Sequence, residues 1–269
     1  LRVFPIKEVA DIGRPKGIPL IIDNTASPVI CKPLAHGAAI VMHSLTKYIG
    51  GHGTSIGGIV VDGGNFDWTK NRKRQPLLNE PDQSYGGAVW IDAVPQLTGA
   101  NIPFVIRLRV VLLRDTGAPL APFNAWQIIQ GLETVGLRMK QHCSNAEKVV
   151  TFLETQKKVQ NVIYPTNHQG EIKERAKKYM QGGYGSLVGM DVGTKENGAK
   201  FIDNLKMLYH VANIGDARSL AIHPATTTHS QLNEKELLAA GVTPGYVRLS
   251  IGIEHPDDII ADIKQALAA

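Results

Sequence analysis

The sequence predicts an α/β fold, with a mostly parallel sheet in a large domain at residues 1–130 and an α+β C-terminal domain at residues 131–269. Three apolar runs, 18–22, 38–42 and 56–61, are short and continuous, as strands buried on both faces are. Short helical patterns alternate with these runs, which favours parallel pairing. In the second half, helical and strand patterns follow each other without that regular alternation, which is typical of an α+β domain.

The first half contains a helical pattern before its strands and a polar segment after them. Apolar residues at helical spacing predict a helix at 5–12, which Gly13 and Pro15 end. Between the first two strands, a short helical stretch is predicted at 32–36. Residues 62–87 are rich in asparagine, proline and basic residues, so we expect a loop excursion there.

Helical periodicity returns after this excursion. It predicts helices at 88–95 and 105–114, then a long helical region at 124–156 with an interruption near 131–136, where two glycines lie. This region is expected to lead into the C-terminal domain. The elements predicted there are helices near 171–180, 195–207 and 257–268, and strands at 187–192, 209–212 and 246–251.

The composition is that of an ordinary soluble globular protein, because 43% of the residues are hydrophobic and 20% are charged. The net charge of +5 would suit an anionic partner, but only residues 70–74 form a basic cluster, and no aromatic residue lies within it. We therefore expect a solvated loop and no nucleic-acid site. Two cysteines, Cys31 and Cys143, cannot form a disulfide framework, which favours reduced thiols and a cytoplasmic location. No apolar run approaches the ~20 residues that a membrane span needs.

The segment around Lys47 carries the strongest chemical signal. An apolar run at 39–42 leads to Ser44, Thr46 and Lys47, and a glycine-rich turn follows at 50–53. Pyridoxal phosphate needs a lysine for its aldehyde and hydroxyl groups for its phosphate, and glycines let a bulky ligand approach the backbone. The pattern indicates a pyridoxal-phosphate site, although a lysine exposed on a loop remains the alternative at this point.

Asp23 follows the apolar run 18–22 directly. Because the carboxyl ends of parallel strands meet at one edge of a sheet, we expect Asp23 close to Ser44 and Lys47. A carboxylate there would keep the pyridine nitrogen protonated, so that the ring withdraws electrons from the substrate. The alternative is an Asx-turn that ends the strand.

Arg248 is a lone arginine within the apolar strand predicted at 246–251. A charge in such a position is costly unless it meets an anion. We expect a bidentate clamp on an amino-acid carboxylate, to which Ser219 would add a hydrogen bond. An internal ion pair with an acid such as Glu254 is the alternative.

The histidines suggest no metal site. Five of them were considered as ligands: His36, His43, His52, His223 and His229. Their spacings match no ligand set such as HExxH, and they have no cysteine partners in a metal motif. We therefore expect no metal.

These segments together resemble the Cys/Met-metabolism family of pyridoxal-phosphate enzymes, whose fold is the aspartate-aminotransferase-like, type I fold. Residues 43–53 look like the lysine signature of that family. The resemblance covers essentially the whole chain. Within the family, residues 65–68, 119–125, 131–134 and 215–229 look most like the O-acetylhomoserine sulfhydrylases.

The resemblance implies a role for six residues. Lys47 would bond to the aldehyde of pyridoxal 5'-phosphate and move protons during the reaction. The other implied contacts are Asp23 at the ring nitrogen, Ser44 and Thr46 at the phosphate, and Ser219 and Arg248 at the substrate carboxylate.

The implied activity is a γ-replacement in which O-acetylhomoserine and sulfide, or another thiol donor such as methanethiol, give homocysteine or methionine with release of acetate. The implied protein is cytoplasmic and a homo-oligomer, expected to be a homotetramer, whose subunits share their active sites. No nucleic-acid or membrane partner is expected. A cystathionine synthase or lyase is the alternative within this chemistry, and a cofactor-binding fragment without turnover is the alternative of another class.

Two departures from the family pattern lie near the N-terminus. The segment 23–28 is one residue shorter than the usual one, so we expect a rebuilt loop after Asp23. The family also has a long upstream segment, which supplies an aromatic residue that stacks on the cofactor, backbone amides for its phosphate, and a Tyr/Arg pair for the neighbouring subunit. None of these can be placed in this chain, so we expect it to lack an N-terminal part.

Overall fold

The computed structural model describes all residues, 1–269, and contains two sheets. The first has three strands in the order β1 (Ile21–Asp23), β2 (Ile40–Ser44) and β3 (Gly58–Asp62). β1 and β2 are parallel, whereas β3 is antiparallel to β2. The carboxyl ends of β1 and β2 therefore lie at the same edge, where the predicted site residues follow them.

The second sheet has five strands: β4 (Asn161–Ile163), β5 (Leu187–Asp191), β6 (Tyr209–His210), β7 (Leu220–Ile222) and β8 (Tyr246–Ser250). Their spatial order is β4-β5-β8-β7-β6, so β8 is central and pairs antiparallel with β5 and β7. Val247 and Leu249 are fully buried on one face of β8. Because side chains alternate along a strand, Arg248 lies on the opposite face.

Ten α-helices surround the sheets. They are α1 (Ile6–Gly13), α2 (Pro76–Asn79), α3 (Trp90–Thr98), α4 (Pro103–Arg107), α5 (Arg114–Thr116), α6 (Pro122–Glu154), α7 (Gly170–Tyr179), α8 (Lys195–Asp203), α9 (Glu234–Ala239) and α10 (Pro256–Ala268). A π-helical stretch, Leu108–Leu113, joins α4 to α5. No single helix is long and apolar enough to cross a bilayer, although the bent pair formed by α3 and residues 103–116 meets that test by length and composition alone.

Helix α6 is 33 residues long and packs against both halves of the molecule. Near its middle, Val135 and Met139 are buried against Tyr48 and Ile49 of the segment that follows β2. In its last turns, Val149, Val150 and Leu153 join the main core beneath the second sheet. A boundary at residue 130 would fall inside this helix, and the predicted division into two domains stays a prediction.

The α/β class is confirmed, and most predicted elements form within a few residues of their expected bounds. The third strand differs, because β3 is antiparallel and makes the first sheet mixed. The chain returns from β2 to β3 through an irregular loop without a crossover helix, and such a connection suits antiparallel pairing. Burial on both faces is also incomplete, since the edge-strand residues Ile21, Ile59 and Val61 are 47%, 45% and 39% exposed.

Two further expectations differ from the structure. The interruption near 131–136 is wrong, because α6 is continuous there. Gly131 allows a close helix contact instead: a Cβ at this position would lie 2.2 Å from the Gly50 carbonyl oxygen. The short elements β4, β7 and α9 were not predicted, since three to six residues are too few to show a period.

Candidate active site

The predicted lysine lies in a tight turn directly after β2. Within this turn the Lys47 amide donates to the Ser44 carbonyl at 3.2 Å, and the Gly51 amide donates to the Lys47 carbonyl at 2.7 Å. Tyr48 and Ile49 are buried and anchor the turn against α6, whereas Lys47 is only half-buried. Gly51 ends the turn with a φ of 73°, a conformation that glycine adopts without strain. The turn therefore holds Lys47 half-buried in a fixed position. We call residues 44–51 the lysine turn.

Arg138 of α6 holds the lysine turn from below. Its guanidinium donates to the carbonyls of Tyr48 at 2.7 Å, Ile49 at 2.9 Å and Gly131 at 2.7 Å. The Arg138 side chain is buried and forms no salt bridge, and burial lowers its pKa. The three carbonyl oxygens and the Thr134 hydroxyl, which accepts from Nε at 3.2 Å, satisfy the donors of the cation. Arg138 was not predicted as a site residue; its position between the apolar residues Val135 and Met139 of a helix was the available signal.

The Lys47 amine meets Asn213 across the gap between the two sheets. Its Nζ donates to the Asn213 side-chain oxygen, and the guanidinium of Arg248 donates to the Asn213 main-chain carbonyl at 3.3 Å. Burial lowers the pKa of Lys47, and the nearby charge of Arg248 lowers it further. Asn213 therefore connects the two predicted cations of the site. Asn213 was not predicted as a site residue from the sequence.

Arg248 has no carboxylate partner within the chain. Its contact with Asn213 is at 3.3 Å, and it takes part in no salt bridge. The alternative ion pair with Glu254 is wrong, because both Glu254 carboxylate oxygens are bound elsewhere, by the amide and the hydroxyl of Ser219 at 2.6 and 2.9 Å. A half-buried guanidinium without an internal anion suits an external one.

Ser219 lies in a different environment from the one the sequence suggested. Its side chain is fully buried, its hydroxyl hydrogen goes to Glu254, and its oxygen accepts from the Gly252 amide at 2.8 Å. A hydroxyl has one hydrogen to donate, so Ser219 has none left for a substrate carboxylate. Arg248 and Asn213 therefore lie close to Lys47. Ser219 instead binds Glu254 and Gly252 within the C-terminal half.

Asp23 lies at the carboxyl end of β1, opposite Met42 of β2. One of its oxygens accepts the Thr25 amide at 2.9 Å, so the alternative Asx-turn is present. The other oxygen makes no hydrogen bond in the chain, and the side chain is exposed. The Thr25 hydroxyl in turn accepts the Ser44 amide at 2.7 Å, which ties the two strand ends together. Asp23 can therefore serve the turn and still present a free carboxylate oxygen.

The two predicted phosphate hydroxyls differ in their availability. The Ser44 hydroxyl makes no hydrogen bond within the chain. The Thr46 hydroxyl accepts the Gly57 amide at 3.1 Å and reaches the Gly57 carbonyl only at 3.4 Å. Both can therefore donate a hydrogen to an incoming phosphate oxygen, Ser44 directly and Thr46 after giving up a long contact.

Pyridoxal phosphate fits the residues present. The lowered pKa of Lys47 favours the neutral amine, which is the form that reacts with an aldehyde. An exposed carboxylate oxygen of Asp23, a free Ser44 hydroxyl and a glycine-rich turn lie at the carboxyl ends of β1 and β2. That edge of an α/β sheet is where ligands bind.

The family of the chain follows from a match over almost its whole length. A model of the Cys/Met metabolism PLP-dependent enzymes matches residues 1–268. The chain belongs to this family. Its members use pyridoxal phosphate, as the sequence analysis expected.

Curated members of the family resemble the chain closely. It is 48% identical over 273 residues to the O-acetyl-L-homoserine sulfhydrylase of Leptospira meyeri, covering 99% of this chain and 61% of that protein. It is 43% identical to the homocysteine synthase of Schizosaccharomyces pombe, covering 97% and 60%. The chain thus spans about 60% of the length of these relatives.

A solved member of the family has the same fold. It is a Campylobacter jejuni chain described as an O-acetylhomoserine (thiol)-lyase, with a TM-score of 0.88 and 40% identity over 98% of this chain and 62% of that one. That structure carries an N'-pyridoxyl-lysine-5'-monophosphate residue. The aspartate-aminotransferase-like prediction for the fold class is confirmed.

Proposed function

We propose that the protein containing this chain catalyses γ-replacement on O-acetyl-L-homoserine with pyridoxal phosphate. Sulfide would give homocysteine and acetate, and methanethiol would give methionine and acetate. The observation that carries this proposal is the arrangement of Lys47, Asn213 and Arg248, which places a reactive amine beside an unpaired guanidinium. The names of the similar proteins, O-acetyl-L-homoserine sulfhydrylase and homocysteine synthase, support this substrate and acceptor.

Arg248 and Asn213 bind the substrate carboxylate in this proposal. Arg248 can offer a fork of two N–H groups, and no internal acid competes for it. The Asn213 amide nitrogen can add a third donor once its oxygen holds Lys47. Asn213 takes the role that the sequence analysis gave to Ser219, because the Ser219 hydroxyl is already used by Glu254 and Gly252.

Lys47 moves the protons of the reaction. Burial and the charge of Arg248 lower the pKa of Lys47, which favours the neutral amine that can take the proton from Cα of the bound substrate. The resulting positive charge lies next to the Asn213 oxygen. When bound, pyridoxal phosphate supplies the electron sink that stabilises negative charge at Cα. Loss of a proton at Cβ and departure of acetate from Cγ open the position that the thiol attacks.

Three residues at the edge of the first sheet hold the cofactor. We assign Asp23 to the ring nitrogen, because its free oxygen lies at the carboxyl end of β1. We assign Ser44 and Thr46 to the phosphate, because their hydroxyls have no strong internal partner. The division into a cofactor-binding domain at 1–130 and a small domain at 131–269 is part of the same proposal.

We further propose a cytoplasmic homo-oligomer. The first half of α6 exposes four large apolar side chains that a second copy would cover: Phe123 at 64%, Trp126 at 54%, Ile129 at 54% and Leu132 at 51%. Exposed apolar side chains grouped in this way mark interaction surfaces.

The test uses the full-length protein, loaded with cofactor. Under matched conditions, the kcat/KM for forming homocysteine from O-acetylhomoserine and sulfide should exceed the kcat/KM for forming or cleaving cystathionine. Cystathionine as the better substrate would replace this proposal with a cystathionine synthase or lyase. Cofactor binding without any turnover of these substrates would favour the non-catalytic alternative.

A further inference from the structure

The loop that carries Asn213 connects two parallel strands. β6 pairs with β7 so that Tyr209 lies opposite Leu220, and residues 211–219 form the connection. We call this connection the Asn213 loop. Residues 209–212, which lead to Asn213, are all exposed. The first half of the loop therefore has little packing that fixes its position.

The second half of the Asn213 loop is anchored on both sides of the candidate site. The Gly215 amide donates to the Ser250 hydroxyl at 3.0 Å, at the end of β8. The Ala217 amide donates to the Gly51 carbonyl at 2.8 Å, at the end of the lysine turn. Asn213 thus lies between a loosely held first half and a fixed second half.

Arg218 joins the two halves of the loop. Its guanidinium donates to the carboxylate of Asp216 through Nε at 3.1 Å and through Nη2 at 3.0 Å. Asp216 is only 4% exposed, so this acid belongs to the anchored half. The Cζ of Arg218 also lies 5.0 Å from the centre of the Tyr209 ring, at the beginning of β6. Because Tyr209 precedes Asn213 and Asp216 follows it, one side chain links both sides of Asn213.

The position of Asn213 decides what this residue can do in the site. Its side-chain oxygen accepts from the Lys47 amine, and its main-chain carbonyl accepts from Arg248. If the first half of the loop were free to move, a ligand would have to order it on binding, and the entropy lost in this ordering weakens the affinity. A contact that already holds the loop in the free protein removes this loss.

We propose that Arg218 is a positioning residue for the binding of the substrate carboxylate. By joining the two halves of the loop, it holds Asn213 next to Lys47 and Arg248. Arg218 itself does not touch the substrate. The inference rests on the proposed function only where that function gives Asn213 a part in binding the carboxylate.

The test is a double-mutant cycle between Arg218→Gln and Asn213→Ala in the full-length holoenzyme, measured by calorimetric titration with L-2-aminobutyrate. This amino acid has the ammonium and carboxylate groups of the proposed substrate but no acyl group to lose. Arg218→Gln alone should weaken its binding about five- to tenfold. In the Asn213→Ala protein the same change should have less than about a twofold effect, because Arg218 acts through Asn213.

Arg114→Gln is the matched control. Arg114 is also exposed, pairs with the neighbouring Asp115 at 3.2 Å and lies over the Tyr85 ring at 5.4 Å, so it makes the same two kinds of contact outside the candidate site. Arg114→Gln should bind L-2-aminobutyrate as the parent does. Arg218→Lys keeps a cation over the Tyr209 ring but loses the bidentate contact, so its affinity should lie between those of the parent and Arg218→Gln.

A second variant keeps the test valid if Arg218→Gln folds poorly, since that change leaves the buried Asp216 unpaired. Tyr209→Leu removes only the ring under the guanidinium, at an exposed position. It should weaken binding about two- to fivefold, and this effect should also disappear in the Asn213→Ala protein. In both variants, hydrogen exchange of the amides at 210–213 should become faster while exchange in α6 stays unchanged.

The proposal is overturned if L-2-aminobutyrate does not bind the parent, or if Arg218→Gln and Tyr209→Leu bind it as the parent does. It is also overturned if Arg218→Gln weakens binding by the same factor with and without Asn213, because Arg218 would then contact the ligand itself or act on the whole fold. A cycle with the expected result in a protein that forms no homocysteine from O-acetylhomoserine would contradict the proposed function and support the role of Arg218.

Discussion

The guanidinium of Arg138 donates to the main-chain carbonyl of Tyr48 at 2.7 Å, on the residue that directly follows the proposed cofactor lysine. The two residues are 90 positions apart in the sequence, and both are buried. The same guanidinium also binds the next carbonyl, of Ile49, and that of Gly131 within its own helix. The position of Lys47 is thus set by a cation on α6.

Arg138→Lys should loosen the lysine turn, because an ammonium group cannot reproduce the planar fork of three hydrogen bonds. We expect the free energy of unfolding to fall by about 2–4 kcal/mol and the affinity for pyridoxal phosphate to fall with it. Chemical denaturation and a cofactor titration measure the two effects. Arg175→Lys, at a surface pair with Glu171, is the control. An Arg138→Lys protein that keeps both values would show that the turn forms without the guanidinium.

Lys47 should be the residue that carries the cofactor. Borohydride reduction of the full-length holoenzyme should fix pyridoxyl phosphate on the peptide that contains Lys47, because this amine has a lowered pKa and lies at the proposed site. Peptide mapping by mass spectrometry gives the position. Lys47→Ala should lose the label, while a variant of the exposed Lys140 should keep it. A label on any other lysine would move the site.

Arg248 should control both the substrate and the Lys47 amine. Arg248→Lys keeps a positive charge but loses the bidentate fork, so kcat/KM should fall about ten- to a hundredfold with cofactor binding and thermal stability preserved. A loss of stability without a change in kcat/KM would indicate a structural role instead.

Arg248→Met removes the positive charge as well as the bidentate fork, so the pKa of Lys47 should rise back toward 10.5. A higher pKa means less neutral amine at pH 8, and in the cofactor-free protein the rate of reductive methylation at Lys47 should fall there. Arg248→Lys, in which the charge remains, should show a much smaller change. Equal rates in all three proteins would show that burial alone sets this pKa.

We expect Asn213 to act in substrate binding and Ser219 to act in stability. Asn213→Ala removes the oxygen that holds Lys47 and the nearby amide donor, so kcat/KM should fall by about tenfold or more at nearly constant stability. Ser219→Ala removes the buried hydroxyl that binds one Glu254 oxygen and the Gly252 amide, and it should lower the free energy of unfolding by about 1–3 kcal/mol. The reverse pattern would return the carboxylate contact to Ser219.

His142 should make the protein sensitive to mild acid. Its Nδ1 donates to the Ile251 carbonyl at 2.7 Å, its Nε2 is buried without a partner, and burial lowers its pKa from 6.5 to about 4. Between these values the unfolded chain binds the proton and the folded one does not. The free energy of unfolding should therefore decrease as the pH falls from about 6.5 to 4, by up to about 3 kcal/mol.

His142→Asn tests this effect, because its amide can still donate to Ile251 and does not titrate. Urea unfolding at pH 4.5 and 7.5 should show a smaller difference between the two pH values in His142→Asn than in the parent. His210→Asn, at an exposed histidine, should behave as the parent. An unchanged difference in His142→Asn would assign the acid sensitivity to other groups.

The sequence predicted the parts of the fold and site that depend on local patterns. The strands that lead to Asp23 and Lys47 were found because continuous apolar runs end there. The prediction that β3 pairs in parallel was wrong, because the direction of pairing depends on the path of the loop between β2 and β3. The interruption of α6 was wrong for a related reason: Gly131 ends no helix but lies against Gly50, a contact that only the tertiary structure brings about.

The substrate side of the site shows the same limit. Arg248 was found because a charge within an apolar strand needs an explanation. Asn213 was missed because an asparagine after a two-residue strand reads as turn chemistry, and only the distance across the two sheets shows that its oxygen faces Lys47. Ser219 carried the expected type of side chain, but its buried neighbours Glu254 and Gly252 already satisfy it.

The buried polar stripe of α6 has a consequence for how the active site assembles during folding. Arg138, His142 and Asn145 lie on one side of this helix. Arg138 binds Tyr48, 90 residues earlier, while His142 and Asn145 bind Ile251 and Gly252, 109 and 107 residues later. Each contact closes a long loop. Such closures are slow because the chain in the loop loses conformational entropy before the contact forms. We therefore expect the helix to form early and the lysine turn and the arginine strand to dock onto it late, so that a partly folded chain has the secondary structure of the protein before it has the site.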